Sequence, residues 1–557
     1  VTTVLRGVGV SPGRRAAPAA RMAPAVAEPA PSEALPESER EAAVEAITAA
    51  SHQVREDLLA AAASASGTAS EILTVTSTMA TDPSLIRAAE KRVRDDGDSP
   101  EWAVWQAADA LAEQLLALGG NLAERATDVR DVRARIVARL TGVAGPGVPV
   151  RDEPYILVAH DLAPADTATL DADAVLAIVT SGGGPTSHTS ILARSLGIPC
   201  VVAVSGADDI ADGDLLAVDG GAGEIHVAPD DALVERFAAA IEAPSELTGP
   251  GATKDSHRVA LLANIGDPAG AAPAAEAGAE GVGLFRTEFC FLGRDTAPSI
   301  EEQVSQYTTV LEAFPGKKVV IRTLDAGADK PLPFVTADDE PNPALGVRGL
   351  RTSWERPEVL EDQLNAIAQA AAATSADVHV MAPMVATVAE AQSFVDTCAS
   401  LGIEQAGIMI EIPAAALRAR DLLKVATFAS VGTNDLTQYA LAADRELASL
   451  AELSTPWQPA VLDLIAVACE GAAGHDRPVG VCGEAAADPA LAPVLVGLGV
   501  ASLSMTARSL PAVGAVLATL TWDECRALAE VAREAPSAHE ARARVRERIP
   551  ALEEWGL

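Results

Sequence analysis

Residues 406–435 read AGIMIEIPAAALRARDLLKVATFASVGTND. An apolar run (406–412) carries a glutamate near its end, a helical stretch follows, and a second apolar run (427–432) leads into Asn-Asp. Working outward, the same texture recurs at VALLANI (259–265), GVGLFR (281–286), KVVIRTL (318–324) and VHVMAPM (378–384). It returns at PVGVCG (478–483) and VASLSM (500–505). Eight strand-like runs, mostly separated by helical patterns, predict a (β/α)8 TIM barrel. In such a barrel, functional side chains gather at the C-terminal ends of the strands. Arg286, Arg322, Glu411, Asn434, Asp435 and Cys482 all stand at the ends of these runs or a step or two beyond.

Ahead of the barrel the texture differs. VLRGVGV (4–10) alternates as a strand, and the Pro/Ala/Ser/Glu-rich stretch from Ser11 to about Glu37 reads as a poorly packed connection. From Ser38 to Val143 the period is helical, as in EWAVWQAADALAEQLLALGG (101–120), and the segment is acidic. Then short β-branched runs appear: YILVAH (155–160), AVLAIVT (174–180), CVVAVS (200–205), LLAVDG (215–220) and EIHVA (224–228). One helix, SILARSLG (190–197), interrupts them. The division implied is a β/α domain from residues 1–20 and 146–228, with an all-helical module (21–145) inserted. A linker (229–255) leads to the barrel (256–557).

The chain has 557 residues, 49% of them hydrophobic and 3% aromatic, and a formal charge of −37. That length and apolar content suffice for several cores. So acidic a surface repels nucleic acid backbones and anionic membranes. No apolar run approaches the roughly 18 residues of a membrane span, and the start lacks the shape of a secretory signal. Six scattered cysteines without a CxxC pair read as reduced thiols, so a cytoplasmic location is expected. Apart from Cys482 they read as core filler, and the six tryptophans as packing anchors.

Gly182-Gly183-Gly184-Pro185-Thr186-Ser187-His188 opens a helix. The glycines allow a tight backbone bend, and Ser187 or Thr186 can cap the helix. His188 then falls in the first turn, where free N–H groups favour an anion such as a phosphorylated imidazole. The plainer reading is a capping loop with a surface histidine. At the barrel mouth, Arg286, Arg322, Arg348 and Arg445 suit a substrate with several negative groups. Salt bridges to acids such as Glu288, Asp325 and Asp444 are the other reading. Glu411 and Asp435 are hard oxygen donors suited to Mg²⁺ or Mn²⁺, or else ordinary bridge partners. Cys482, flanked by glycines, is a proton donor or a buried filler.

GGGPTSHTSILARSLGIPCVV resembles the phosphohistidine signature of Enzyme I of the bacterial sugar phosphotransferase system, the phosphoenolpyruvate–protein phosphotransferases. GVGLFRTEFCF, VIRTLDAGADK, NPALGVRGLR, GIMIEIP, SVGTNDLTQYALAADR and GVCGE are similar to the same family, in the same order along nearly the whole chain. The resemblance implies a swivelling phosphohistidine domain, a helical module that binds the phosphocarrier HPr, and a barrel that binds phosphoenolpyruvate and forms a homodimer. It implies that His188 accepts the phosphoryl group and passes it to HPr, the first step of sugar uptake. Arg286, Arg322, Arg348, Asn434 and Arg445 would bind substrate, Glu411 and Asp435 would hold Mg²⁺, and Cys482 would protonate the enolate to give pyruvate. One departure is TVTSTMATDP (74–83), where the family often carries a histidine and large apolar residues. A dikinase or phosphoenolpyruvate synthase needs a large ATP-binding domain ahead of the histidine, where this chain shows only a helical stretch without a phosphate loop. A non-catalytic sensor would be expected to have lost His188, a metal carboxylate or Cys482.

Overall fold

The computed structural model describes residues 3–557 apart from 23–25, 32–33, 65–67, 119, 144, 146, 150, 163–165, 167–169, 172, 186, 239–243, 293, 328–331, 337–339 and 446. Thr186, one of the two candidate caps, and part of the expected linker lie outside the described residues. Several side chains within helices, that of His188 among them, lie outside them too.

The N-terminal domain is built on an eight-stranded sheet in the order β1-β8-β7-β3-β4-β5-β6-β2. Its strands are β1 (Thr3–Arg6), β2 (Val8–Ser11), β3 (Arg14–Arg21), β4 (Tyr155–Ala159), β5 (Val175–Thr180), β6 (Cys200–Val202), β7 (Leu215–Asp219) and β8 (Glu224–Val227). The strand β3 corrects the expectation of a loose connection after Ser11. It lies mid-sheet, antiparallel to β7 and parallel to β4. RRAAPAAR offers no β-branched residue and contains a proline, which central strands normally exclude. Pro18 is exposed and stands at the last register position of the β7 ladder, where its missing N–H breaks no run of bonds, while Ala17, Ala19 and Ala20 are buried.

Between β3 and β4 five helices form a separate core: α1 (Glu37–Ser64), α2 (Thr68–Met79), α3 (Pro83–Asp96), α4 (Pro100–Leu118) and α5 (Gly120–Thr141). Their buried stripes, including Ile47, Val54, Leu85, Val93, Val104 and Ile136, meet in one cluster. The signals that delimit α3 are local. Asp82 caps it by accepting from the backbone of Ser84 and Leu85, Pro83 opens it, and Gly97 closes it at φ 71°.

The C-terminal domain is a closed, all-parallel eight-stranded barrel. Its strands are β9 (Ala260–Ile265), β10 (Val282–Arg286), β11 (Lys318–Arg322), β12 (Asp377–Ala382), β13 (Ala406–Ile410), β14 (Ala429–Gly432), β15 (Val479–Cys482) and β16 (Ser502–Met505). Each falls within one of the eight apolar runs or begins one residue ahead of it. The runs are nearly continuous because parallel barrel strands are buried on both faces. Leu284, Val320, Met381, Met409, Phe428 and Cys482 form an interior cluster. The helices outside pack on a larger core with the outer strand faces. Among the described residues, no helix is long and apolar enough to cross a membrane. All six cysteines are buried and unpaired, whereas Trp354 is 63% exposed and therefore anchors no core.

The β/α domain sits against the barrel. Ala451, beyond the helix Thr433–Leu441 that follows β14, is buried in the same cluster as Val8, Ala193 and Cys200 of the β/α domain. On the far side of the contact, Arg14 pairs with Glu553 at 2.7 Å and Arg546 reaches Asp219 at 3.5 Å. The helix that follows the Gly-rich loop, α6 (His188–Leu196), meets the barrel where the strands end.

Candidate active site

A cavity of about 370 Å³ opens at the C-terminal end of the barrel. Six strand-end residues expected from the sequence line it: Arg286, Arg322, Glu411, Asn434, Asp435 and Cys482. Arg445 joins them from the loop after the helix Thr433–Leu441, and Ile191 of α6 closes one side. Arg286 and Arg322 are the last residues of β10 and β11, and Cys482 is the last of β15. Asn434 and Asp435 lie in the first turn of the helix Thr433–Leu441, immediately after β14. Strand geometry thus converts residues scattered from Arg286 to Cys482 into one polar mouth.

The arginines differ in what they are free to do. Arg286 is exposed, and no carboxylate among the described residues pairs with it. Arg322 is buried and committed: its guanidinium lies 2.8 Å from Glu288, 3.4 Å from Asp325 and 3.6 Å from Glu411. These acids outweigh the burial that would weaken its charge, and hold the guanidinium firmly ionised. Its Nε, though buried, has no hydrogen-bond partner among the described residues. Arg445 lies 3.5 Å from Asp435. The salt-bridge reading holds for Arg322 and Arg445, whose acid partners fix them in place at the cavity wall.

Arg348 departs from the expectation of a substrate contact. It is fully buried and is not among the cavity's lining residues. Its guanidinium grips Asp325 through Nε and Nη2, both at 3.2 Å, and Asp435 through Nη1 and Nη2 at 3.0 and 3.1 Å. NPALGVRGLR turns inward after β11, so Arg348 braces two wall carboxylates from behind. Replacing it with methionine takes four hydrogen bonds from two buried acids and leaves them the longer contacts to Arg322 and Arg445. Breaking a buried pair of this kind costs about 3–5 kcal/mol. We expect Arg348→Met to lower the urea midpoint of the barrel accordingly, with Arg348→Lys falling between it and the wild type.

Glu411 and Asp435 share the cavity. Glu411 is buried, accepts the backbone N–H of Met384 at 2.9 Å, and has its pKa raised to about 7 by burial and by the charges of Asp325 and Asp435. Met384 adopts φ 57°, a strained value for its residue type that places this donor. A Cβ on Gly432 would approach Glu411 Cγ to 2.7 Å, so only glycine leaves Glu411 its place. Two carboxylates at one cavity are hard oxygen donors of the kind that fits a divalent cation.

Cys482 Sγ lies 3.5 Å from the carbonyl of Val431 at the cavity floor. Burial raises its pKa, against the pull of a Ser430 hydrogen bond and of Arg322 and Arg286, so it remains a thiol at neutral pH. His188 is the first residue of α6, which Ser187 caps by accepting from Ser190 N–H. Glu484, read from the sequence only as part of GVCGE, also lines the cavity, and burial pushes its carboxyl pKa up.

Comparison with known proteins reaches the β/α domain, the helical module and the barrel. The PEP-utilising enzyme N-terminal domain matches residues 6–125, the mobile domain 151–223 and the PEP-binding domain 242–522. A phosphoenolpyruvate-protein phosphotransferase of Streptomyces coelicolor is 53% identical over 97% of this chain and 98% of its own. One from Staphylococcus carnosus is 37% identical over 82% and 84%. A solution structure of an Enzyme I protein is 33% identical over 42% of this chain and 96% of its own, with a TM-score of 0.38.

Proposed function

The chain belongs to the phosphoenolpyruvate-protein phosphotransferases of the PEP-utilising enzymes, and from that premise we propose which residues perform the transfer. His188 is the acceptor, HPr is the protein to which the phosphoryl group passes, and pyruvate is the other product. The supporting observation is the position of α6: the helix that begins at His188 contributes Ile191 to the same cavity as the strand-end arginines, Glu411, Asp435 and Cys482.

Phosphoryl transfer demands positioning and neutralisation of oxygen charge more than covalent chemistry from the protein. Arg286, exposed and unpaired among the described residues, is the cation available to the phosphate. Arg322 adds a fixed charge, and its unpartnered Nε is a donor for an incoming oxygen. Arg445 and the Asn434 amide complete the anion site. Arg348 keeps Asp325 and Asp435 in place rather than touching substrate. Glu411 and Asp435 would hold Mg²⁺, with Mn²⁺ a substitute, and the ion when bound supplies positive charge to the substrate's oxygens. As the bond from phosphorus to the enol oxygen breaks, an N–P bond forms at the imidazole and enolpyruvate remains. The Cys482 S–H proton goes to its methylene carbon to give pyruvate, and the thiolate is reprotonated from solvent.

The helical module is the surface for HPr, and the barrel is the homodimerisation unit. After phosphorylation the β/α domain must leave the barrel so that His188 can meet HPr, a swivel about the expected linker, residues 229–255. Incubating the chain with radiolabelled phosphoenolpyruvate and Mg²⁺, without nucleotide, should give one acid-labile phosphoryl group per chain, which added HPr then removes. A requirement for ATP would refute this and favour a dikinase-like reaction.

A further inference from the structure

One guanidinium ties three parts of the site together. Arg194, in the last turn of α6, donates to the carbonyl of Pro185 at 2.9 Å and lies 2.5 Å from Glu484 Oε1. Pro185 belongs to the loop that leads into His188, and Glu484 follows Cys482 and Gly483 on the barrel. Gly483 adopts φ 95° and ψ −148°, a conformation open to glycine, and the chain turns there directly into the short helix that begins with Glu484. Both members of the pair are mostly shielded from solvent, with side-chain exposures of 16% and 26%. Glu484 lines the substrate cavity and also a second cavity, of about 180 Å³, that Arg194 and Pro185 share.

We propose that Glu484 is a positioning residue for phosphoryl transfer: by pairing with Arg194 it holds α6, and with it the acceptor histidine, over the barrel mouth. The inference rests on the assignment of His188 as acceptor. Two bodies of a chain with formal charge −37 do not attract one another by net charge, so specific cross-domain pairs must set the docking pose. The pairs Arg14–Glu553 and Arg546–Asp219 join the far part of the sheet to the C-terminal helices and touch no residue of α6. Among the described residues, Arg194–Glu484 is the cross-domain ion pair that includes α6 itself. The rival role for Glu484 is as a counter-charge to Arg286 and Arg445, whose charges also act on it. That role would affect substrate affinity instead of the transfer rate.

The two roles separate in single-turnover labelling of the full chain with radiolabelled phosphoenolpyruvate and Mg²⁺. Glu484→Gln should slow labelling at saturating substrate about 10–100-fold, the scale on which misplaced reacting groups lose rate. Arg194→Gln should do the same or more, and the double variant should be no slower than Arg194→Gln alone. Phosphoenolpyruvate affinity, measured by calorimetry in a His188→Ala background, should not weaken. Small-angle scattering should show Glu484→Gln more extended than the wild type. Losses that multiply, a loss confined to affinity, or an unchanged scattering profile would each overturn the proposal. If the wild type takes no label from phosphoenolpyruvate, the assignment of His188 fails instead, and scattering still decides the latch.

Discussion

His188→Ala should take up no acid-labile label from phosphoenolpyruvate, whereas the wild type takes one phosphoryl group per chain. The expected loss is complete because an alanine offers no atom to phosphorylate, and pyruvate release should stop with it. The fold should survive. Residue 188 is the first position of α6, whose cap is the Ser187 hydroxyl and whose C-terminus is closed by Gly197 at φ 68°, so neither terminus depends on the imidazole. Alanine is the best helix former, so the first turn of α6 keeps its helical propensity. The barrel should therefore still bind phosphoenolpyruvate, which calorimetry can confirm in the same preparation. Label retained by the variant would place the acceptor elsewhere. Loss of both label and substrate binding would point to damage instead of chemistry.

The residues that could be found by reading the chain are those whose environment is local. Barrel strands announce themselves as apolar runs, and a polar residue at the end of such a run has one destination, the mouth, so Arg286, Arg322, Glu411 and Cys482 were identifiable. Strand β3 was not, because RRAAPAAR takes its place through its neighbours β4 and β7, not through β propensity. Arg348 shows the same limit for a site residue. NPALGVRGLR marks an arginine near the mouth, yet whether it faces substrate or the Asp325–Asp435 wall depends on packing across 87 residues of sequence separation. The role inferred for Glu484 depends on the docking of two domains, and Arg194 lies 290 positions away. A signal existed in principle: an acid directly after a glycine at a strand end, in a chain whose other domain carries an arginine on the helix that follows the Gly-rich loop.

Cys482→Ala should lower the rate of pyruvate formation by about 10²–10⁴-fold, the range general acids contribute. The thiol lies in the barrel's interior cluster beside Leu284 and Met409, with burial raising its pKa despite Arg322 and Arg286. A group in that state is a proton donor and a poor nucleophile, which suits protonation at carbon after the enol oxygen loses its phosphoryl group. Removing one sulfur from this floor leaves a small void worth about 1 kcal/mol, so the variant should fold. The decisive readout is exchange of the methyl protons of pyruvate in deuterated water with Mg²⁺, which runs the proton step without the phosphoryl group. Wild type should exchange them, and Cys482→Ala should not. Cys482→Ser, whose hydroxyl is a far weaker acid, should recover little. His188→Ala should exchange normally, because the imidazole has no part in the carbon–hydrogen step. If Cys482→Ala exchanged as fast as wild type, the proton would come from another group, and the thiol would revert to a structural element of the barrel floor.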